Sequence, residues 1–185
     1  MNNDCIRIGV LGEFGVGKFE LVRQICHPGV QSREPGSSWS GPIVDIVDFQ
    51  RPNSNQHVWV EFVIVPGETL HPRSRQMIYM FGFDALLVVC DCSVQRTLLR
   101  ATEWMEEATA IDSLKGVPVA LVLGGPVPID WANTPTLDSF AETYNAKVLD
   151  LSGYTSSPTL EHRQQQLIQS FFETVIQHKA STRTM

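Results

Sequence analysis

No dense cluster of lysine and arginine occurs anywhere in the 185 residues, and 14 basic side chains are outnumbered by 20 acidic ones for a net charge of −6. The chain thus lacks the electrostatic footprint needed to hold a phosphodiester backbone, which excludes nucleic acid as an expected partner. Every apolar run falls well short of the about 20 residues of a membrane-spanning helix. The N-terminus has no charged-then-apolar leader. Lipid attachment signals are missing too: position 2 is Asn rather than a myristoylatable Gly, and the sequence ends Ser181-Thr182-Arg183-Thr184-Met185 without a prenylatable cysteine. These absences lead us to expect a cytoplasmic protein without a direct membrane anchor.

Cys5, Cys26, Cys90 and Cys92 show neither zinc nor CxxC spacing. Three of them fall in apolar runs, which favours reduced, buried thiols. His57, His71, His162 and His178 have no metal-ligand spacing and read as ordinary surface or core histidines. Hydrophobic residues make up 43% of the chain, enough for one core in one domain. The domain is expected over residues 1–178, followed by a short polar tail over 179–185.

Ile6-Arg7-Ile8-Gly9-Val10-Leu11 reads as a buried strand, followed by a glycine-rich turn and a helix-spaced segment, Glu20 to Cys26. His27 to Pro42 is rich in Gly, Pro and Ser and reads as a long surface loop. Ile43 to Phe49 and His57 to Val65 form an expected hairpin across Arg51-Pro52-Asn53-Ser54-Asn55. Ala85 to Cys90 and Val117 to Leu123 are continuous apolar runs, as in parallel strands covered on both faces. Ser93 to Ile111 lies between them with helical spacing; Ala146 to Leu151 gives a last strand, and Leu160 to His178 a last amphipathic helix. The order β, α, β, β, α, β, α, β, α, β, α predicts a doubly wound sheet that binds ligands at the carboxyl ends of its strands.

Gly12-Glu13-Phe14-Gly15-Val16-Gly17-Lys18 matches GxxxxGK between the first strand and the first helix. Glycines let successive N–H groups and a helix N-terminus face a phosphate, and the lysine reaches the terminal phosphates. The alternative is a plain glycine turn with a solvated Lys18. Phe19 follows, where a working P-loop has the Ser or Thr that ligates magnesium. A phenyl ring cannot coordinate a cation, so the residues predict weakened, altered or magnesium-independent binding.

With these motifs and this element order, nearly the whole chain resembles the Ras/Rab small GTPases. The resemblance implies an α/β, P-loop small-GTPase-like three-layer fold with a mostly parallel six-stranded sheet. It also implies GTP or GDP as ligand, with Mg²⁺ left open. Against the family's DxxG the chain reads Ile64-Val65-Pro66-Gly67-Glu68. Gly67 stands for the γ-phosphate glycine, Ile64 replaces the acidic residue, and Glu68 takes the place of the water-orienting glutamine, where a carboxylate repels the terminal phosphate. Hydrolysis is expected to be very slow or absent, and no catalytic residue is assigned. Against the guanine-reading NKxD the chain has Gly124-Gly125-Pro126-Val127-Pro128-Ile129-Asp130, with Asp130 either a base contact or a surface aspartate. Ser152-Gly153-Tyr154 falls at the family's SAK turn, where backbone N–H groups meet the base. The expected nucleotide contacts are therefore Glu13, Phe14, Gly15, Val16, Gly17, Lys18, Phe19, Gly67, Ser152 and Gly153. Ser37, Ser38 and Ser40 are magnesium candidates or turn formers, and Trp39 is a core plug or a partner anchor.

Two atypical branches share further residues with this chain. One is the Rab-like protein five family of the intraflagellar transport B complex, similar in Phe49-Gln50-Arg51-Pro52 before a short Asn/Ser turn, in the loss of NKxD and in the final helix. The other is the Rab-like protein three family, similar in Ser38-Trp39-Ser40-Gly41, Val44-Asp45, Tyr144-Asn145-Ala146 and Phe171-Phe172. The first implies an adaptor in a cilium or flagellum with a coiled-coil subunit as partner; the second implies a regulatory GTPase of protein trafficking. A nucleotide-free scaffold is the third alternative. Contact candidates are Trp39, Met77, Tyr79, Met80 and Phe81, with a core helix as the other reading of 77–81. Asp45 and Asp91 read as strand-end caps.

Overall fold

A computed structural model describes residues 4–30, 41–52, 54–67, 71–125, 135–154 and 159–182. The expected element order is present: β1 (Asp4–Leu11), α1 (Lys18–Cys26), β2 (Ile43–Gln50), β3 (His57–Ile64), α2 (Pro72–Tyr79), β4 (Ala85–Asp91), α3 (Gln95–Thr109), β5 (Val119–Gly124), α4 (Pro135–Tyr144), β6 (Lys147–Asp150) and α5 (His162–Thr182). The strands form one six-stranded sheet in the order β2-β3-β1-β4-β5-β6. Only β2 runs antiparallel, against β3. The protein is thus an α/β, P-loop GTPase-like three-layer fold. From β1 the chain builds first to one side and then to the other, so the topological switch point lies where β1 and β4 are neighbours.

Side-chain alternation assigns each face its cover. Ile6, Ile8 and Val10 of β1 join Val58, Val60 and Phe62 of β3 beneath Leu21 and Val22 of α1 and Ile168, Phe171, Phe172 and Val175 of α5. The opposite face carries Leu86, Val88, Leu121 and Leu123 under Leu98, Ala101, Trp104 and Met105 of α3 and Leu137 and Phe140 of α4. Each such side chain contributes about 1.5–3 kcal/mol when fully buried, so either layer alone carries more than the usual net stability of a domain. Both are needed, because chain entropy opposes nearly all of it.

Several boundaries differ from the sequence reading. Val117 and Pro118 precede β5, since Pro118 has no N–H for a central ladder. α5 continues to Thr182, where Thr182 Oγ1 donates to the His178 and Lys179 carbonyls at 3.3 and 3.1 Å. Residues 179–182 are therefore helical, and Lys179 ties the helix to the Asp84 carboxylate at 2.6 Å. Asp45 is the third residue of β2 rather than its cap, and its carboxylate meets His27 Nε2 at 3.0 Å. Asp91 does cap its strand end, accepting from the Ser93 backbone at 2.8 Å and hydroxyl at 2.7 Å. Cys90 and Cys92 are buried, Cys26 is half-buried and Cys5 is exposed; all four are free thiols.

Candidate functional site: a phosphate loop beneath two unusual neighbours

The glycine loop leaves the C-terminal end of β1 in the middle of the sheet and turns directly into α1. Gly12 adopts φ 139°, and a Cβ there would lie 2.4 Å from the Val89 carbonyl oxygen, so only glycine lets the loop pass so close to β4. Gly17 begins α1 in the left-handed region, and no side chain caps the helix. The first-turn N–H groups and the positive end of the helix dipole remain directed at the loop, which is the arrangement an anion uses.

Lys18 is buried, only 7% exposed. Its Nζ donates to the carbonyls of Gly12 at 2.6 Å and Glu13 at 2.7 Å, closing the loop on itself. Burial pulls the ammonium down to about 7, against the opposing pull of the Glu13 carboxylate. Glu13 is itself buried. One carboxylate oxygen pairs with the Arg96 guanidinium from the first turn of α3, and the other has no hydrogen-bond partner among the described residues. Phe14 is exposed, Gly15 lies in open space at φ 78°, and Val16 is buried in the core.

Phe19 directs its ring into the layer under α1 and α5, with the Arg23 guanidinium 5.8 Å from its centroid. It offers no oxygen to a cation. Among the described residues no group of three His, Cys, Asp or Glu side chains could hold a metal. Ser37, Ser38, Trp39, Ser40, Glu68 and Asp130 lie outside the described residues.

Gly67 lies against the phosphate loop. A Cβ at this position would be 2.6 Å from the Phe14 nitrogen and 3.0 Å from its Cα. The Gly67 carbonyl accepts from Arg75 Nη1 at 3.5 Å. Arg75 is held in turn by both Glu107 oxygens, at 2.9 and 2.7 Å, and lies 4.7 Å from the centroid of Trp104. One arginine of α2 thereby couples the Gly67 loop to α3.

The loops after β5 and β6 depart further from expectation. The Ser152 N–H donates to Asp150 Oδ1 at 3.1 Å, and the Gly153 N–H to the Gly125 carbonyl at 2.7 Å. Both groups expected to meet a base are engaged internally. The space a side chain would fill at Gly124 is taken by Tyr154, whose Cε1 lies 2.8 Å from a Cβ built there. Tyr154 is fully buried and its hydroxyl donates to Gly17 O at 2.9 Å and Val16 O at 3.3 Å. Sequence reasoning named Tyr154 only as part of the 152–154 turn, and no local signal marked where its ring would go.

Of the contact candidates, Met77, Met80 and Phe81 are about 70% exposed, whereas Tyr79 is completely buried and is corrected to a core residue. Sequence reasoning also missed a neighbouring surface. Val44, Ile46 and Trp59 are exposed on the sheet face that α2 and α3 cover farther along. On that face Arg7 pairs with Glu61 and donates to the Phe81 carbonyl at 3.3 Å, so the end of α2 adjoins the bare β2–β3 strip. A groove of about 420 Å³ on the other side of the sheet, lined by Ile25, Phe49, Leu160 and Phe172 among others, contains no phosphate-loop residue.

No protein-family model matches this sequence, and no curated protein is significantly similar to it. No helix among the described residues is long and apolar enough to cross a membrane.

Proposed function

We propose that the protein is an atypical, Rab-like GTP- or GDP-binding adaptor that engages a protein partner and has little or no hydrolytic activity. The observation that carries this reading is a juxtaposition: a glycine loop with a buried lysine at the switch point, linked through Gly67, Arg75 and α2 to an exposed apolar strip. Bound phosphate would take over the Lys18 ammonium and the open N–H groups of α1. Gly67 touches that loop, so occupancy acts directly on the segment leading to Met77, Met80 and Phe81. The resemblance in 49–52 extends the proposal to a ciliary or flagellar transport complex of the B type, with a coiled-coil subunit as partner. Such a partner suits the strip, because an amphipathic helix buries its apolar face against exposed Val, Ile, Trp, Met and Phe side chains.

One observation favours a second reading, a scaffold without nucleotide: Lys18 satisfies the loop's own carbonyls, and Gly67 closes against it. Denaturing the purified protein and separating released nucleotide by ion exchange distinguishes the two. Stoichiometric GTP or GDP is the expected result. An empty protein that added GTP fails to stabilise would leave the scaffold. For the adaptor half, Trp59→Asp combined with Phe81→Asp should abolish capture of the coiled-coil subunits while leaving the melting temperature within a few degrees; unchanged capture would overturn it.

A further inference from the structure

We infer that Tyr154 is the positioning residue of the phosphate loop, holding through its hydroxyl the two peptide planes that precede Lys18. The inference rests on the phosphate-site reading above.

Tyr154 occupies the space a side chain at Gly124 would enter, and its ring reaches from the β6–α5 connection to the underside of the loop. The carbonyls it contacts belong to Val16 and Gly17, the two residues just before Lys18. Gly17 also begins α1, and its carbonyl accepts the Leu21 N–H at 3.0 Å. Fixing these two peptide planes fixes the direction of the N–H groups on their other side, which are the groups a phosphate would meet. A buried phenol bonded to two carbonyls resists rotation in a way that a glycine loop alone cannot, because glycine imposes almost no torsional preference.

The anchor is itself held from two more elements. Gln24 of α1 donates from Nε2 to the Tyr154 carbonyl at 2.7 Å. Gln164 of α5, buried, donates from Nε2 to the carbonyls of Leu151 and Ser152, both at 3.1 Å. The loop after β6, the phosphate loop, α1 and α5 therefore form one hydrogen-bonded body with Tyr154 at its centre. A residue that merely filled the core would need no hydroxyl. Here the hydroxyl is buried, and it is spent on the one loop whose shape matters for an anion.

Tyr154→Phe keeps the ring and removes only the tie. In wild type, GTP should raise the melting temperature and slow exchange of the amides of 15–18. In the variant we expect GTP affinity to fall about fivefold to tenfold. Exchange at 15–18 should quicken by a similar factor, with β4 and β5 amides unchanged. A core-filling role would lower the melting temperatures of free and GTP-bound protein equally and leave affinity intact, and that result overturns the inference. Wild-type protein that GTP does not stabilise overturns the phosphate-site reading and this inference with it. Stabilised wild type beside equally stabilised Tyr154→Phe overturns the inference alone. Should Tyr154→Phe fold poorly, Gln24→Ala, which frees the Tyr154 carbonyl from α1, supplies the same readouts with a smaller loss in the same direction.

Discussion

The loop after β1 and the loops after β5 and β6 emerge at the same end of one sheet, yet they are built on opposite plans. The first keeps its backbone amides open and its lysine close at hand. The loop after β6 engages its amides in internal bonds, from Gly153 to the Gly125 carbonyl at the end of β5 and from Ser152 to Asp150, and places a tyrosine where a side chain at Gly124 would lie. An anion site depends on backbone geometry and one cation, and it survives as long as its glycines do. Recognition of a base depends on particular side chains, which substitution removes without disturbing the sheet.

The sharpest way to break the comparison is at Gly12. Gly12→Ala must both accept φ 139° and move the Val89 carbonyl, so it should cost about 3 kcal/mol or more in urea unfolding. A variant as stable as wild type would show that the loop is not seated on β4 as described. Next comes the ligand itself: at a hundred times its dissociation constant GTP should stabilise the wild type by about 2.7 kcal/mol, and Lys18→Ala should remove most of that gain. A calorimetric shift that survives the mutation would move the site elsewhere.

On the opposite side, Gly124→Ala should cost about 1–2 kcal/mol through overpacking against the Tyr154 ring, measured by thermal unfolding. Gly153→Ala, at φ 87° with nothing within 4 Å, should show only the smaller backbone strain of about 1 kcal/mol. Equal losses would mean that the ring does not fill the space at Gly124.

The pH dependence separates the two plans again. Lys18 has a folded value lowered from 10.5 to about 7, so below pH 7 the fold bears the full cost of burying an ammonium. That cost fades as pH rises from about 7 to 10.5, so this group's contribution makes the fold more stable across the window. Phosphate binding needs the ammonium, so GTP affinity should fall over the same range. Titration calorimetry at pH 8.5 in buffers of different ionisation enthalpy should show proton uptake on binding, and none would indicate that Lys18 is already charged. The smallest effect concerns magnesium: because Phe19 supplies no oxygen, EDTA should change GTP affinity by less than about tenfold in equilibrium titrations. A larger loss would require a cation ligand outside the described residues.

Much of this was legible in the chain. Continuous apolar runs such as Ala85 to Cys90 are what strands covered on both faces require, and GxxxxGK between a strand and a helix places its own turn. Phe19 and Gly67 could be singled out because their residue type stands at a fixed distance from those landmarks. Tyr79 and Tyr154 could not, since a lone tyrosine has no period. Whether it faces a partner, the core or a neighbouring loop depends on elements distant in sequence. The same holds for Val44, Ile46 and Trp59, which read as ordinary strand residues until the sheet shows that no helix among the described residues covers them.

Local sequence alone determined the order of strands and helices, the position of the glycine loop and the loss of the oxygen at Phe19 in the first turn of α1, because hydrophobic period and glycine torsional freedom act within a few residues. The tertiary structure decided the rest: it buried Lys18 on its own loop, brought Gly67 against Phe14, joined α2 to α3 through Arg75, and set Tyr154 under Val16 and Gly17. These are contacts between segments up to 138 residues apart. They arise from the packing of layers, which no local pattern encodes.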